Sequence, residues 1–253
     1  MEALGKEFEA FSKKPVMIIL PANIREMGGD CICRRPMPAL LLRKMQEVFA
    51  MSCSLSDELI ERTISFHGHS CPGLTIGIRA AELALREFGR GAETDLVATV
   101  ETDMCGVDAI QFLTGCTYGK GNLIHRDYGK MAFSFYDRKS GQGFRALLRS
   151  DADGGIGSEL RPLMKKIDEG RASDAEQSKA DELREKLKKR YMSSDLEELF
   201  TKSDLDRSAP RPARILESLR CEACGEVTME SRTRRFSGKT LCIPCFEKVE
   251  QKV

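Results

Sequence analysis

Apolar positions along this chain recur first on a helical period, then on a strand period, and then thin out among charges. Leu55, Leu59, Ile60 and Ile64 follow helical spacing around Ser56-Asp57-Glu58, a capping residue and an acidic first turn. Leu74, Ile78, Ala81, Leu85 and Phe88 draw a second stripe, with Arg79, Glu82, Arg86 and Glu87 on the remaining positions and Gly89 as a stop. Gly73, Gly77, Ala80 and Ala84 keep that helix slim, which predicts close approach of a neighbouring element. The stretch 95–102 reads as a buried strand ending in Glu101-Thr102-Asp103, and a short helix follows at 107–113. Two strands, 131–136 and 144–148, flank the turn-rich 137–143. This order predicts an α+β fold: a compact core with a mixed or antiparallel sheet and flanking helices, without doubly wound repetition.

The pattern also divides the chain. Residues 1–54 read as a poorly ordered extension with a short amphipathic helix near 40–49, and Cys31, Cys33 and Cys53 have no ligand spacing. The core runs over 55–160 and ends in the glycine-rich 151–157. Residues 161–212 read as a charged helical connector, with Leu183, Leu187 and Tyr191 on one face and charges paired at i,i+4 elsewhere. Pro210-Arg211-Pro212 closes it as a stiff spacer, and 213–253 form a C-terminal zinc-binding module.

Charge changes this picture little. The formal net charge is +1, so bulk electrostatics favours neither nucleic acid nor a membrane as partner. The apolar run 16–20, bounded by Pro15 and Pro21, is too short to span a bilayer. Ten cysteines, four of them in C-x-x-C pairs, favour thiol–metal chemistry in a reducing cytoplasm over a disulfide framework.

The candidate chemistry lies in three places. Phe66-His67-Gly68-His69-Ser70-Cys71-Pro72-Gly73 holds two of the three histidines and a cysteine within five residues. An extended backbone would point His67, His69 and Cys71 the same way, and Cys71 beside a helix N-terminus favours thiolate. That combination makes a metal site or a reactive-thiol centre. The glycine-punctuated loop 116–123 carries Lys120, which could receive an anionic or carbonyl group but lacks a phosphate-loop pattern. Cys221-x-x-Cys224 and Cys242-x-x-Cys245, seventeen residues apart, make a closed structural zinc site. Arg232, Arg234, Arg235 and Lys239 stand between the knuckles, balanced by Glu222, Glu226, Glu230, Glu247 and Glu250, so protein docking is favoured over nucleic acid.

These residues carry a resemblance. FHGHSCPG at 66–73, ETDMCGVDAIQFLTGCTYGKGNL at 101–123 and RDYGKMAFSFYDR at 126–138 resemble the formylmethanofuran dehydrogenase E-subunit family. Residues 215–246 look like a DksA/TraR-type four-cysteine finger. The resemblance implies a dimeric α+β core with a metal-associated cleft lined by the His/Cys corner and Asp103–Cys105. It implies association with a molybdenum or tungsten pterin enzyme of one-carbon metabolism, as in methanogenesis. On this reading His67, His69, Cys71 and Cys105 hold a second transition metal, with Cys116 as an additional candidate. Asp103 and Asp108 orient ligands or act as acid/base groups. The enzymatic alternative makes Cys71 a nucleophile, His67 its base, Asp103 an acid/base group and Lys120 a charge stabiliser on a one-carbon or acyl substrate. A third alternative is a regulator whose finger binds nucleic acid or polymerase.

Overall fold

A computed structural model describes residues 53–89, 95–205 and 209–249 of the 253-residue chain. The expected N-terminal extension, its helix near 40–49, Cys31, Cys33 and Glu250 lie outside the described residues.

Helix α1 (Asp57–His67) starts where Ser56 accepts the Leu59 N–H and stops at left-handed Gly68, φ 93°. Helix α2 (Pro72–Phe88) follows after a short turn. Strand β1 (Leu96–Val100), helix α3 (Gly106–Thr114) and strands β2 (Leu123–His125), β3 (Ala132–Asp137) and β4 (Gly143–Leu148) complete the part read from sequence. Helices α4 (Ile156–Asp168), α5 (Asp174–Ser193) and α6 (Leu196–Leu199) then lead into β5 (Phe200–Asp204). The sheet has the order β2-β1-β3-β4-β5, with β1 and β2 parallel and every other pair antiparallel. It is the mixed α+β sheet that the pattern predicts.

Helix α2 is the pivot of the core. Ile76, Ala80, Leu83 and Ala84 cluster with Leu96, Val100, Phe133 and Phe135 of the sheet. Leu74, Ile78 and Ala81 cluster instead with Ala109 and Leu113 of α3 and with Ile60 and Ile64 of α1. The small residues of α2 let α3 approach, as their spacing implied.

Two readings are corrected here. The stretch 161–212 is not a solvated connector: Ala180, Leu183, Leu187 and Tyr191 are buried, α5 runs against α2, and β5 extends the sheet from Phe200 to Asp204. One apolar residue every three or four positions is enough to seat a helix whose other faces are charged. Arg79 and Glu82 are likewise buried beside α5. Arg79 pairs with Glu82 at 2.7 Å and donates to the Ser194 carbonyl, while Glu82 accepts from the Ser54 N–H and hydroxyl.

The C-terminal module is two hairpins and a short helix. Strands β6 (Ser218–Arg220) and β7 (Val227–Met229) pair, as do β8 (Thr233–Phe236) and β9 (Lys239–Cys242), and α7 (Ile243–Glu247) follows. Arg138 donates to the Pro210 carbonyl at 2.8 Å, so the proline spacer lies against the hairpin turn of the core. Among the described residues no helix is long and apolar enough to cross a membrane.

Candidate metal centre

Local rules build the corner between α1 and α2. The Gly68 N–H closes on the Ile64 carbonyl and ends α1, leaving His67 on its last turn. Cys71 caps α2, its Sγ accepting the Leu74 N–H at 3.3 Å, and Pro72 opens the helix. The expected extended segment is therefore replaced by a tight helix–turn–helix corner. His67 and Cys71 converge because the chain reverses direction between them, not because a strand alternates its side chains.

Cys105 arrives from elsewhere in the chain, at the N-cap of α3. A Cβ on Gly77 would sit 2.1 Å from the Gly106 carbonyl oxygen, so the two backbones touch. A Cβ on Gly73 would meet the Cys105 Cβ at 3.4 Å and Sγ at 3.9 Å. This glycine seam carries Cys105 to the corner.

One ligand atom from each of His67, His69, Cys71 and Cys105 lies within 4.8 Å of the others. The His67 and His69 rings are 4.4 Å apart. His67 Nδ1 is 2.7 Å from Asp108 Oδ2, and Gln111 donates to the other carboxylate oxygen at 3.3 Å. The His67 side chain is only 10% exposed, and its Nε2 is buried without a hydrogen-bond partner. A buried imidazole nitrogen left bare carries a desolvation cost. A carboxylate on Nδ1 and a free lone pair on Nε2 is the arrangement in which histidine ligates a metal. Burial and the neighbouring Cys71 sulfur raise the Cys105 thiol, a situation that a cation reverses by taking both sulfurs as thiolates.

A cleft of about 450 Å³ opens beside the corner, lined by His67, Asp103, Cys105, Asp108, Tyr118 and His125 among others. Asp103 thus reaches the site. Lys120 does not: it is exposed on its loop and lines neither cleft at the corner. Cys116 is also elsewhere, fully buried with its Sγ donating to the Leu96 carbonyl at 3.3 Å, and burial pushes its thiol up. Sequence reasoning missed His125 and Gln111. The i,i+3 spacing of Gln111 from Asp108 on one helix face was the available signal.

In the finger, the four sulfurs of Cys221, Cys224, Cys242 and Cys245 lie within 4.8 Å of one another, Cys224 and Cys242 at 3.9 Å. Four zinc–sulfur bonds of about 2.3 Å in a tetrahedron put sulfurs about 3.8 Å apart, which matches. The Cys224 backbone N–H, with those of Cys242 and Ala223, pulls the Cys221 thiol down to about 6, readying it as a thiolate ligand.

An α+β core with a His/Cys pocket, followed by a four-cysteine finger, defines a metal-binding protein built from two kinds of site. A family model described as FmdE, molybdenum formylmethanofuran dehydrogenase operon, matches residues 66–201, and a prokaryotic DksA/TraR C4-type zinc finger matches 214–251. The chain belongs to the FmdE family and carries that finger at its C-terminus. Its core is similar to the crystal structure of a tungsten formylmethanofuran dehydrogenase FmdE-like protein from Syntrophus aciditrophicus. The TM-score is 0.52 and the identity 26%, over 76% of this chain and 93% of that one. A probable S-adenosyl-L-methionine-binding protein of Archaeoglobus fulgidus is 30% identical over 195 residues, which are 74% of this chain and 52% of that protein. The chain therefore spans about half the length of that curated relative.

Proposed function

We propose that the corner is a transition-metal centre held by His67, His69, Cys71 and Cys105, and that the protein handles this metal for a molybdenum or tungsten pterin enzyme of one-carbon metabolism. The observation that carries the metal reading is the bare, buried Nε2 of His67 among three further donor atoms. Two imidazoles and two thiolates suit zinc or another borderline-soft ion. When bound, such an ion supplies a Lewis acid at the edge of the cleft. The chain's own residues do the rest. Asp108 keeps the proton on Nδ1 of His67, Gln111 steadies Asp108, and Asp103 stands in the cleft as an exchangeable acid or base. The pterin-enzyme partner draws its support from the names of the FmdE family and of the tungsten-enzyme-like structure. A homodimer belongs to the same proposal, and Phe66 and Tyr118, 55% and 78% exposed near the corner, offer apolar surface for it. The thiol-enzyme reading is weaker, because Lys120 does not stand with Cys71.

Metal analysis of the purified full chain tests this. Two ions per chain are expected, falling to one in a His69→Ala, Cys71→Ser double variant. One ion per wild-type chain, unchanged in the variant, overturns the core centre.

A further inference from the structure

Three of the four core donors are fixed by a second contact. His67 is held by Asp108 through Nδ1, Cys71 by the Leu74 N–H at the cap of α2, and Cys105 by the glycine seam between α2 and α3. His69 differs from all of them. It is exposed on the turn between the helices, and no described residue makes a hydrogen bond to its ring. Partners of this kind are worth about ten- to a hundredfold in metal affinity, so His69 is the weakest donor of the set.

His69 also faces a second opening. A cleft of about 440 Å³ is lined by His69, Cys71, Asp181, Arg184, Glu185 and Lys188, and it shares no lining residue with the one that holds Asp103 and His125. Its charges cancel: Arg184 pairs with Asp181 and Lys188 with Glu185, each at 2.6 Å. Lys188 also donates to the Ser70 hydroxyl at 3.1 Å, which holds α5 against the turn. With no net charge to select the incoming group, the metal's own softness selects it, and a thiolate is the preferred class.

We propose that His69 is the exchangeable ligand of the core centre, giving way to an incoming thiolate through the α5-side cleft, and that this exchange is the route by which the metal passes to or from a recipient. The metal–nitrogen bond to His69 breaks, a metal–sulfur bond forms, and the thiol proton passes to the freed imidazole. The inference rests on the metal-centre reading above and adds a direction of access and a class of partner donor, a cysteine-bearing metal site.

The test uses full-length protein loaded with cobalt(II), titrated with 2-mercaptoethanol and followed by sulfur-to-cobalt charge-transfer absorption. The finger, saturated by four thiolates, contributes a constant background. Wild type is expected to gain one further sulfur–cobalt increment that saturates. His69→Ala should keep its core cobalt and saturate at a thiol concentration about tenfold or more lower, because the competing imidazole is gone. His67→Ala, which removes an anchored donor, should lose the core cobalt altogether. Two cobalt ions with absorption indifferent to the thiol overturn the exchange and leave the centre standing. Equal loss of core cobalt from both histidine variants also overturns it. Uptake of a single cobalt ion by wild type overturns the exchange together with the centre.

Discussion

The contact between Gly77 and Gly106 makes the sharpest link between packing and the metal. A Cβ placed on Gly77 meets the Gly106 carbonyl oxygen at 2.1 Å, its Cα at 2.3 Å and its carbonyl carbon at 2.5 Å. All three are backbone atoms, so no rotamer change relieves them. Restoring an ordinary 3.4 Å contact drives α3 away from α2 by about 1.3 Å. Overpacking of this kind costs about 3 kcal/mol, and the better helix propensity of alanine returns about 1 kcal/mol. Gly77→Ala should therefore destabilise the core by about 2 kcal/mol. For a protein of this size that lowers Tm by about 4–8 °C. The same displacement moves Cys105, the residue before Gly106, away from Cys71, and metal–ligand distances tolerate only about 0.2 Å of error. The variant should then retain one metal per chain, the finger's, and lose the other. Calorimetry with metal analysis reads both effects. Unchanged Tm with two ions retained refutes the claim that the glycine seam positions the centre.

Other outcomes follow from single contacts. Asp108→Ala should weaken core metal binding by about ten- to a hundredfold in a chelator competition while leaving Tm close to wild type, because it frees the His67 ring without opening the core. Leu187→Ala should cost about 3 kcal/mol by chemical denaturation, since Leu187 is 7% exposed in the cluster that joins α5 to the sheet. A solvated connector would show almost no change. The Cys53 thiol is pushed up to about 11, chiefly by burial, with the Glu82 charge adding to it. Its folded value lies above its ordinary 9.0, so its contribution is complete below pH 9 and lost as pH rises through 11. Wild type should lose stability more steeply than Cys53→Ala over that window, and parallel curves would refute the assignment.

How legible was all this in the sequence? The α2 stripe, the buried β1 and the β3–β4 hairpin were readable because each is decided by near neighbours. The glycines of α2 announced a close approach but not the identity of the approaching helix, which is a non-local fact. Arg79 and Glu82 sit where an exposed face was expected, since nothing local says that α5 will cover them and Ser194 will accept from Arg79. Helix α5 misled for the complementary reason: four apolar residues in twenty are few, and its charges hide the seam they form. At the corner, the residue set was right and the backbone wrong. His-Gly is a helix-ending pair, and reading Gly68 as a left-handed stop would have put His67 on a helix. Lys120 failed for lack of a constraint, since a glycine-rich loop leaves its direction open from sequence.

The two metal sites differ in what they do for folding, and this bears on use. The finger buries only Cys221, Leu241 and Cys242, with Cys245, Phe246 and Val249 packed beside them. So small a cluster cannot offset the entropy of ordering the module, and zinc must supply the difference. The core has twenty buried residues in its main cluster and five more around α3, none of which depends on an ion. A centre embedded in a fold that stands without it is free to load and unload. Stripping the chain with a strong chelator should therefore melt the finger alone. Amide exchange in 218–247 should accelerate to that of an unfolded segment, while β1, β3 and α2 keep their protection. If β1 and α2 lost protection along with the finger, the core metal would be structural, and a role in carrying it elsewhere would lose its physical basis.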